Sequence, residues 1–467
     1  MNLFDGIECF GDRVAFIDES SGLISYREFL ELSSVISGLI PPRSFVFLLG
    51  QNHPVCVSAY VGFLRRKIVP LLLNGSIAGD QLARLIDIYL PAYIFVSGER
   101  ADEFSGGYEL SGEFCGYVLL RRIGGSDVKL HDDLAMVLTT SGSTGSPRLV
   151  RLSYKNILSN TESIVRYLNI ASADRAVTTM PMTYSYGLSI INTHLFVGGS
   201  VILTELTLMD RGFWNLIKEH EPSTFGGVPY IFEMLKRLRF ARMDLPFVRY
   251  ITQAGGRLSC EMVSEFRDIC AGKGIKFIVM YGQTEATARM SYLPFEQAYD
   301  KAGSIGVAIP GGKFWLEDDA GKKIDVPDTA GELVYQGGNV SMGYAENIYD
   351  LEKPDENCEV LRTGDIALRD NDGYYYIVGR KKRFLKIFGN RVNLDEVDQI
   401  LQRAGYDAVA TGKDDQLKIF VTKNQTDKIK SLLSEQLRLN PIAFDVQFIP
   451  KIPRNDSGKI LYSKLPE

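Results

Sequence analysis

Four short stretches of the chain hold residue types whose chemistry goes beyond packing. In "LTTSGSTGSPRLV", residues 138–150, six small hydroxyl residues (Thr139, Thr140, Ser141, Ser143, Thr144 and Ser146) and two glycines (Gly142 and Gly145) stand between an apolar run and Arg148. Each hydroxyl would need a partner if buried, so the run belongs in a loop rather than a core. Its glycines admit unusual backbone angles and close approach, and its N–H and hydroxyl groups could surround phosphate oxygens. It is not a P-loop, because G-x-x-x-x-G-K-[ST] is not matched and the basic residue follows a proline. "YGQTEAT", residues 281–287, offers an aromatic face, a hydroxyl and a carboxylate, which suit base stacking, a phosphate contact and Mg²⁺ ligation. "RTGD", residues 362–365, offers Asp365 as an acceptor for the two hydroxyls of a ribose, and "IPRNDSGKI", residues 452–460, carries Lys459 in a Ser-Gly turn. Alone, each of these has a plainer reading as a linker or surface turn.

Strands and helices must position these groups. Between residues 44 and 281, short apolar runs ("SFVFLLG", "AYIFVSG", "LAMVLTT", "VILTE", "VRYIT" and "KFIVMYG") alternate with amphipathic stretches at 155–168, 211–220 and 260–271. That alternation predicts layered α/β structure with mainly parallel sheets, in which ligands bind beyond the carboxyl ends of strands. From about residue 303, short strands separated by turns ("KFWLEDDAGKKIDV", "GELVYQGG" and "GYYYIVGR") predict a small β-barrel or meander. After "GRKKR" the pattern predicts a helix capped by Asn393, with Glu396 three residues on, then two strands, a helix at 427–437 and a final strand. The expected fold class is α/β. A large N-terminal body of layered α/β subdomains plus a small β-barrel (residues 1–381, the barrel-like part at about 303–380) is followed by a small mobile α+β C-terminal domain (residues 382–467).

Composition narrows the function classes. With 45% hydrophobic and 23% charged residues, the 467-residue chain is that of a globular protein, not a disordered or fibrous one. A net charge of −5 argues against a nucleic-acid partner. The six cysteines (Cys9, Cys56, Cys115, Cys260, Cys270, Cys358) are scattered without a C-x-x-C pair, and the four histidines (His53, His131, His194, His220) do not cluster at ligand spacing. Neither a structural zinc nor a disulfide framework is expected. The start, "MNLFDGIECFGDRVAF", lacks a basic segment followed by an apolar core, and no run of about 18 apolar residues occurs, so a cytoplasmic protein without a membrane span is expected. Catalysis then falls to Lys, Glu, Asp, Thr and backbone groups, with any metal arriving with the substrate.

Together and in this order, the stretches resemble the adenylate-forming superfamily, which includes AMP-forming acyl- and aryl-CoA ligases, peptide-synthetase adenylation domains and firefly-type luciferases. The similarity runs through nearly the whole chain: "ISYREF", "FLRRKIVPLLL", "TTSGSTGSPR", "AGGRL", "YGQTE", "GELVYQGGNVSMGY", "RTGD", "GRKKRFLKIFGNRV" and "PRNDSGKI". The resemblance implies a two-step ligation. A carboxylate attacks the α-phosphate of MgATP to give an acyl-adenylate and pyrophosphate; a thiol, by default that of coenzyme A, then displaces AMP. Because the first step brings one anion onto another, positioning and charge stabilisation carry it. By similarity, Thr139, Thr140, Ser141, Gly142, Ser143, Thr144 and Gly145 would hold the β- and γ-phosphates, Thr284 the α-phosphate and Glu285 the Mg²⁺. Gly255, Gly256, Arg257, Tyr281 and Gly282 would frame the nucleotide base, and Asp365 with Arg380 would hold the ribose. Lys459 would bridge the carboxylate and α-phosphate oxygens as charge develops. Lys382 falls at the superfamily's hinge, about which the C-terminal lobe reorients between steps, and Gly389 falls near its thiol tunnel.

Three departures from the superfamily pattern matter. Arg148-Leu149 stands where Lys-Gly is usual and keeps the charge. The C-terminal lobe is shorter than in many relatives, which leaves the mode of thiol or carrier binding open. In "MPMTYSYGLSIINTHLFVGGSV", residues 180–201, Tyr184 falls at the pocket aromatic and Ser185 at the site where amino-acid-activating members carry an Asp. A neutral serine cannot pair with an α-ammonium group, so an α-amino acid is disfavoured. The implied acid pocket, Tyr184, Ser185, Tyr186, Gly187, Val228, Pro229 and Gly282, does not choose between alkyl and aryl acids. The expected activity is that of an acyl-CoA synthetase-like ligase. Transfer to an acyl or peptidyl carrier protein or to an amine, and a silent nucleotide-binding relative, stand as alternatives.

Overall fold

The computed structural model describes residues 3–19, 22–126, 128–139, 148–387, 390–413, 415–437, 439–454 and 460–466. By internal contacts the chain divides into two compact units, the first made of Met1–Ala302, Ala308–Lys313 and Gln336–Leu361, the second of Gly303–Val307, Phe314–Tyr335 and Arg362–Glu467.

In the first unit the apolar runs become strands as their patterning demands. All six residues of Phe45–Gly50 are buried, as expected of a strand covered on both faces. That strand lies inside an eight-stranded sheet in the order Gly343–Ala345, Leu149–Ser153, Leu134–Thr139, Val69–Asn74, Phe45–Gly50, Tyr93–Ser97, Tyr117–Arg122, Tyr108–Phe114. Helix Tyr26–Gly38 begins with a capping box, in which the Ser25 hydroxyl accepts from Glu28 N and the Glu28 carboxylate accepts from Ser25 N. Helix Pro54–Arg65 begins with proline, whose missing N–H is no loss at that position. The two helices approach so closely that a Cβ on Gly62 would lie 2.5 Å from the Ser33 carbonyl oxygen.

A second sheet of the same unit carries six strands that run parallel in the order Lys276–Tyr281, Tyr250–Gln253, Thr224–Gly227, Arg175–Val177, Ser200–Leu203, Val14–Asp18. Its core gathers Ile164 and Leu168 from helix Tyr154–Leu168, Phe232 from helix Pro229–Arg237, Phe266 from helix Cys260–Gly272 and Phe277 from the sheet. The carboxyl ends of three adjacent strands of this sheet lead straight into Val228, Gly255 and Gly282, the arrangement in which open parallel sheets bind ligands.

The second unit holds a five-stranded sheet in the order Lys323–Ile324, Lys313–Glu317, Gly331–Gln336, Val360–Arg369, Tyr375–Arg380. Toward the C-terminus, an antiparallel hairpin of Phe384–Ile387 and Asn390–Asn393 precedes the helix that the sequence pattern placed first. Helix Leu394–Arg403 does start at Asn393, but the cap closes on Asp395 N at 2.9 Å and not in a box with Glu396. The reason is that the same carboxamide donates to the Val378 carbonyl at 2.9 Å, which fixes its orientation. Strands Ala408–Lys413, Gln416–Val421 and Phe444–Phe448 form a three-stranded sheet, and Val397, Leu401, Ile419, Ile429 and Leu433 share its core with helix Thr426–Leu437. Among the described residues no helix is long and apolar enough to cross a membrane.

Candidate active site

Thr139 ends its strand opposite Leu149 in an antiparallel ladder, so the hydroxyl-rich segment leaves and rejoins the sheet at one place. Thr140, Ser141, Gly142, Ser143, Thr144 and Gly145 lie outside the described residues. On the far side of Leu149–Ser153, strand Gly343–Ala345 sets Tyr344 opposite Val150. The Arg148 guanidinium lies 4.2 Å from the centre of the Tyr344 ring and pairs with Glu346 at 2.9 Å. Tyr344 donates its hydroxyl to Glu285 Oε1 at 2.8 Å. Burial, and then the neighbouring Glu285 carboxylate, push the Tyr344 phenol up, which keeps it a proton donor. Ser341 N also donates to the Glu285 carbonyl at 2.9 Å. The strands that flank the hydroxyl-rich segment and the Thr284-Glu285 turn therefore form one assembly.

Residues of the expected acid pocket adjoin that turn. Thr284 Oγ1 lies 3.4 Å from Ser185 Oγ, and Gln283 Nε2 donates to the Tyr281 hydroxyl at 3.3 Å. The chain doubles back so tightly after Tyr281 that a Cβ on Gly282 would lie 1.9 Å from the Ala288 carbonyl oxygen and 2.9 Å from Arg289 Cα. Gly255 has φ +81°, and a Cβ there would meet the Tyr184 hydroxyl at 2.6 Å and Val228 Cγ1 at 2.9 Å. Tyr184, Val228 and Gly255 thus make one wall, with Pro229 against Gly256. Arg257 is exposed. Tyr186 is buried, its hydroxyl 2.8 Å from Thr252 Oγ1 and donating to the Thr252 carbonyl at 2.9 Å. A Cβ on Gly187 would sit 2.3 Å from the Pro181 carbonyl oxygen, so the first turn of helix Ser185–Phe196 packs tightly on the preceding loop. Burial raises the Tyr184 phenol to about 12 and leaves it neutral.

In the second unit, Asp365 and Arg380 stand opposite one another on paired strands, with Nε 3.2 Å from Oδ1. The carboxylate is buried and the guanidinium exposed. Lys382 lies in the short helical turn Lys381–Arg383. Gly389 and Lys459 lie outside the described residues.

Two residues of the site have contacts that the sequence does not announce, although Tyr344 ends the stretch "GELVYQGGNVSMGY". Tyr344 gains its role only through strand pairing. Arg289 is 3% exposed, and its guanidinium stacks 3.7 Å from the centre of the Tyr186 ring. Its backbone carbonyl accepts from Asn160 Nδ2 at 2.8 Å and Asn339 Nδ2 at 2.9 Å. The available hint was a single basic residue in the otherwise small and apolar run "ATARM".

Residues 3–345 match the family model described as AMP-binding enzyme, and the chain belongs to that family. It is similar to the long-chain-fatty-acid–CoA ligase of Bacillus subtilis, with 27% identity over 72% of this chain and 62% of that one. It is also similar to the sulfoacetate–CoA ligase of Cupriavidus necator, with 28% identity over 72% of this chain and 67% of that one. The fold superposes on o-succinylbenzoate–coenzyme A synthetase of Bacillus subtilis in complex with AMP with a TM-score of 0.82 at 20% identity, covering 100% of this chain and 98% of that one. The matched region spans about six-tenths of the first of these relatives.

Proposed function

We propose that the chain activates a carboxylic acid with MgATP as an acyl-adenylate and then passes the acyl group to the thiol of coenzyme A. The observation that carries this reading is the unbroken line of contacts from Arg148 through Tyr344 and Glu285 to Thr284 and Ser185, joining the loop base, the acidic turn and the acid pocket within one unit. Membership of the AMP-binding family and the similarity to CoA ligases support it.

Each residue then has a task set by its chemistry. Tyr344 fixes Glu285 Oε1, and Oε2, which has no partner among the described residues, suits a hard cation. Mg²⁺ bound there with the nucleotide would supply neutralisation of phosphate charge. The Thr284 hydroxyl faces the acid pocket and donates to the phosphate that the acid attacks. Ser185 beside it adds no charge, so an incoming carboxylate meets no fixed anion on that wall. The attacking carboxylate oxygen forms the bond to the α-phosphorus as pyrophosphate departs; in the second step the thiol sulfur bonds to the acyl carbon and AMP departs. Lys459 is assigned the developing charge of the first step, and Asp365, paired with Arg380, the ribose hydroxyls.

The test is product analysis with ATP, an acid panel and free coenzyme A. Acyl-CoA and AMP in equal amounts are expected. Acid-dependent AMP release without a CoA thioester would move the second step to a carrier thiol or an amine.

A further inference from the structure

Arg289 is a buried cation set against Gly282 and Tyr186, two residues of the expected acid pocket, and it has no counter-charge among the described residues. Its Cα backs directly onto Gly282, its guanidinium lies on Tyr186, and its field reaches Tyr184, Tyr186 and Tyr167. Among the described residues it forms no ion pair, and its Nε has no hydrogen-bond partner. A tyrosine face attracts a guanidinium but does not neutralise it, and an unpaired buried charge is strongly unfavourable. The two asparagines that grip its carbonyl hold the residue in this place.

The surroundings point the same way. A cavity of about 20 Å³ lies among Arg289, His194, Tyr250, Thr224, Thr252 and Ser189. His194 Nε2 and the Tyr250 hydroxyl join Arg289 Nε as buried atoms without hydrogen-bond partners among the described residues. His194 Nδ1 lies 2.8 Å from the Ile190 carbonyl, so the ring N–H sits there and Nε2 presents a lone pair. The cavity has room for one water molecule, which can accept from Arg289 and donate to His194. Water satisfies hydrogen bonds and leaves the charge of Arg289 unbalanced. An alkyl or aryl tail ending against this wall would leave it unbalanced too, and would meet polar groups at its end.

We propose that the acid activated here carries a second anionic group, a carboxylate or sulfonate, which Arg289 receives at the end of the pocket remote from the reacting carboxylate. This rests on the ligase reading above and names its substrate class. The second anion supplies the missing counter-charge, and Arg289 thereby sets specificity without touching the reacting atoms.

The experiment is ATP–pyrophosphate exchange with matched acids: succinate against butyrate, glutarate against valerate, 3-sulfopropionate against propionate, and terephthalate against benzoate. In at least one pair the dianion should be preferred in kcat/KM by on the order of 10²-fold, as for a site built to bind a polar group. Arg289→Met should abolish that preference through KM for the dianion while leaving exchange with the neutral-tailed acid active, and Arg289→Lys should restore part of it. A merely structural arginine would instead lower exchange with both members alike and leave their ratio unchanged. Exchange with neutral-tailed acids alone, or a ratio unmoved by Arg289→Met, overturns the inference and leaves the ligase intact. If Arg289→Met does not fold, the wild-type ratios and Arg289→Lys still decide. Absence of exchange with every acid overturns the ligase reading and this inference with it.

Discussion

Glu285 accepts from Tyr344 on one carboxylate oxygen, and the other has no partner among the described residues. Removing its charge should therefore cost more than loosening its geometry. Glu285→Gln is expected to lower the adenylation rate by on the order of 10²-fold, the effect of one strong electrostatic group. Tyr344→Phe removes a hydrogen bond to a charged group, worth about 1.5–3 kcal/mol, and should raise the Mg²⁺ concentration for half-maximal exchange while KM for the acid stays put. An unchanged Mg²⁺ dependence in Tyr344→Phe would show that the contact does not position Glu285. Thr284 and Glu285 could be singled out in the sequence by residue type and local order, and the expected pocket residues only through the resemblance. Tyr344 and Arg289 were not, because one depends on a strand pairing between distant segments and the other on where a tight reversal at Gly282 directs the chain.

At the level of elements, the strand Leu149–Ser153 is buried along its whole length, including Arg151. Alternation would send that arginine to solvent; the structure instead surrounds it with acceptors. Its guanidinium donates to the carbonyls of Met342 at 2.9 Å and Tyr344 at 3.1 Å and to the Lys353 carbonyl, and pairs with Glu356. Arg151 thus ties strand Gly343–Ala345, and with it Tyr344, to strand Leu149–Ser153. Arg151→Met should destabilise the fold by about 3 kcal/mol, since buried carbonyls and a carboxylate lose their partner, and chemical denaturation would measure it. Unaltered stability would mean that the strand is held by its ladder alone. The parallel strands were readable as apolar runs bounded by helices. The hairpin Phe384–Ile387 with Asn390–Asn393 was not, because each strand is four residues long and the second holds one apolar residue, Val392.

For the whole molecule, the order of motifs along the chain carries more than any one of them, because tripeptides such as TGD recur by chance while their sequence at fixed intervals does not. Composition set only boundaries: a globular, slightly acidic chain with no metal or disulfide pattern. The proposed substrate class stayed hidden because it rests on Arg289, whose surroundings are assembled by packing between distant segments. The resemblance places a hinge at Lys382, and Lys382→Pro, which fixes φ at that residue, should reduce thioester formation by roughly tenfold more than pyrophosphate exchange; equal losses in the two half-reactions would remove the hinge assignment. The central claim is adenylation of a carboxylic acid, and acid-dependent ATP–pyrophosphate exchange tests it most directly, with Lys459→Ala as the paired variant. The account predicts exchange that requires an acid and falls by on the order of 10²–10³-fold in the variant. No exchange by a protein that binds ATP, or exchange undiminished without Lys459, would contradict it.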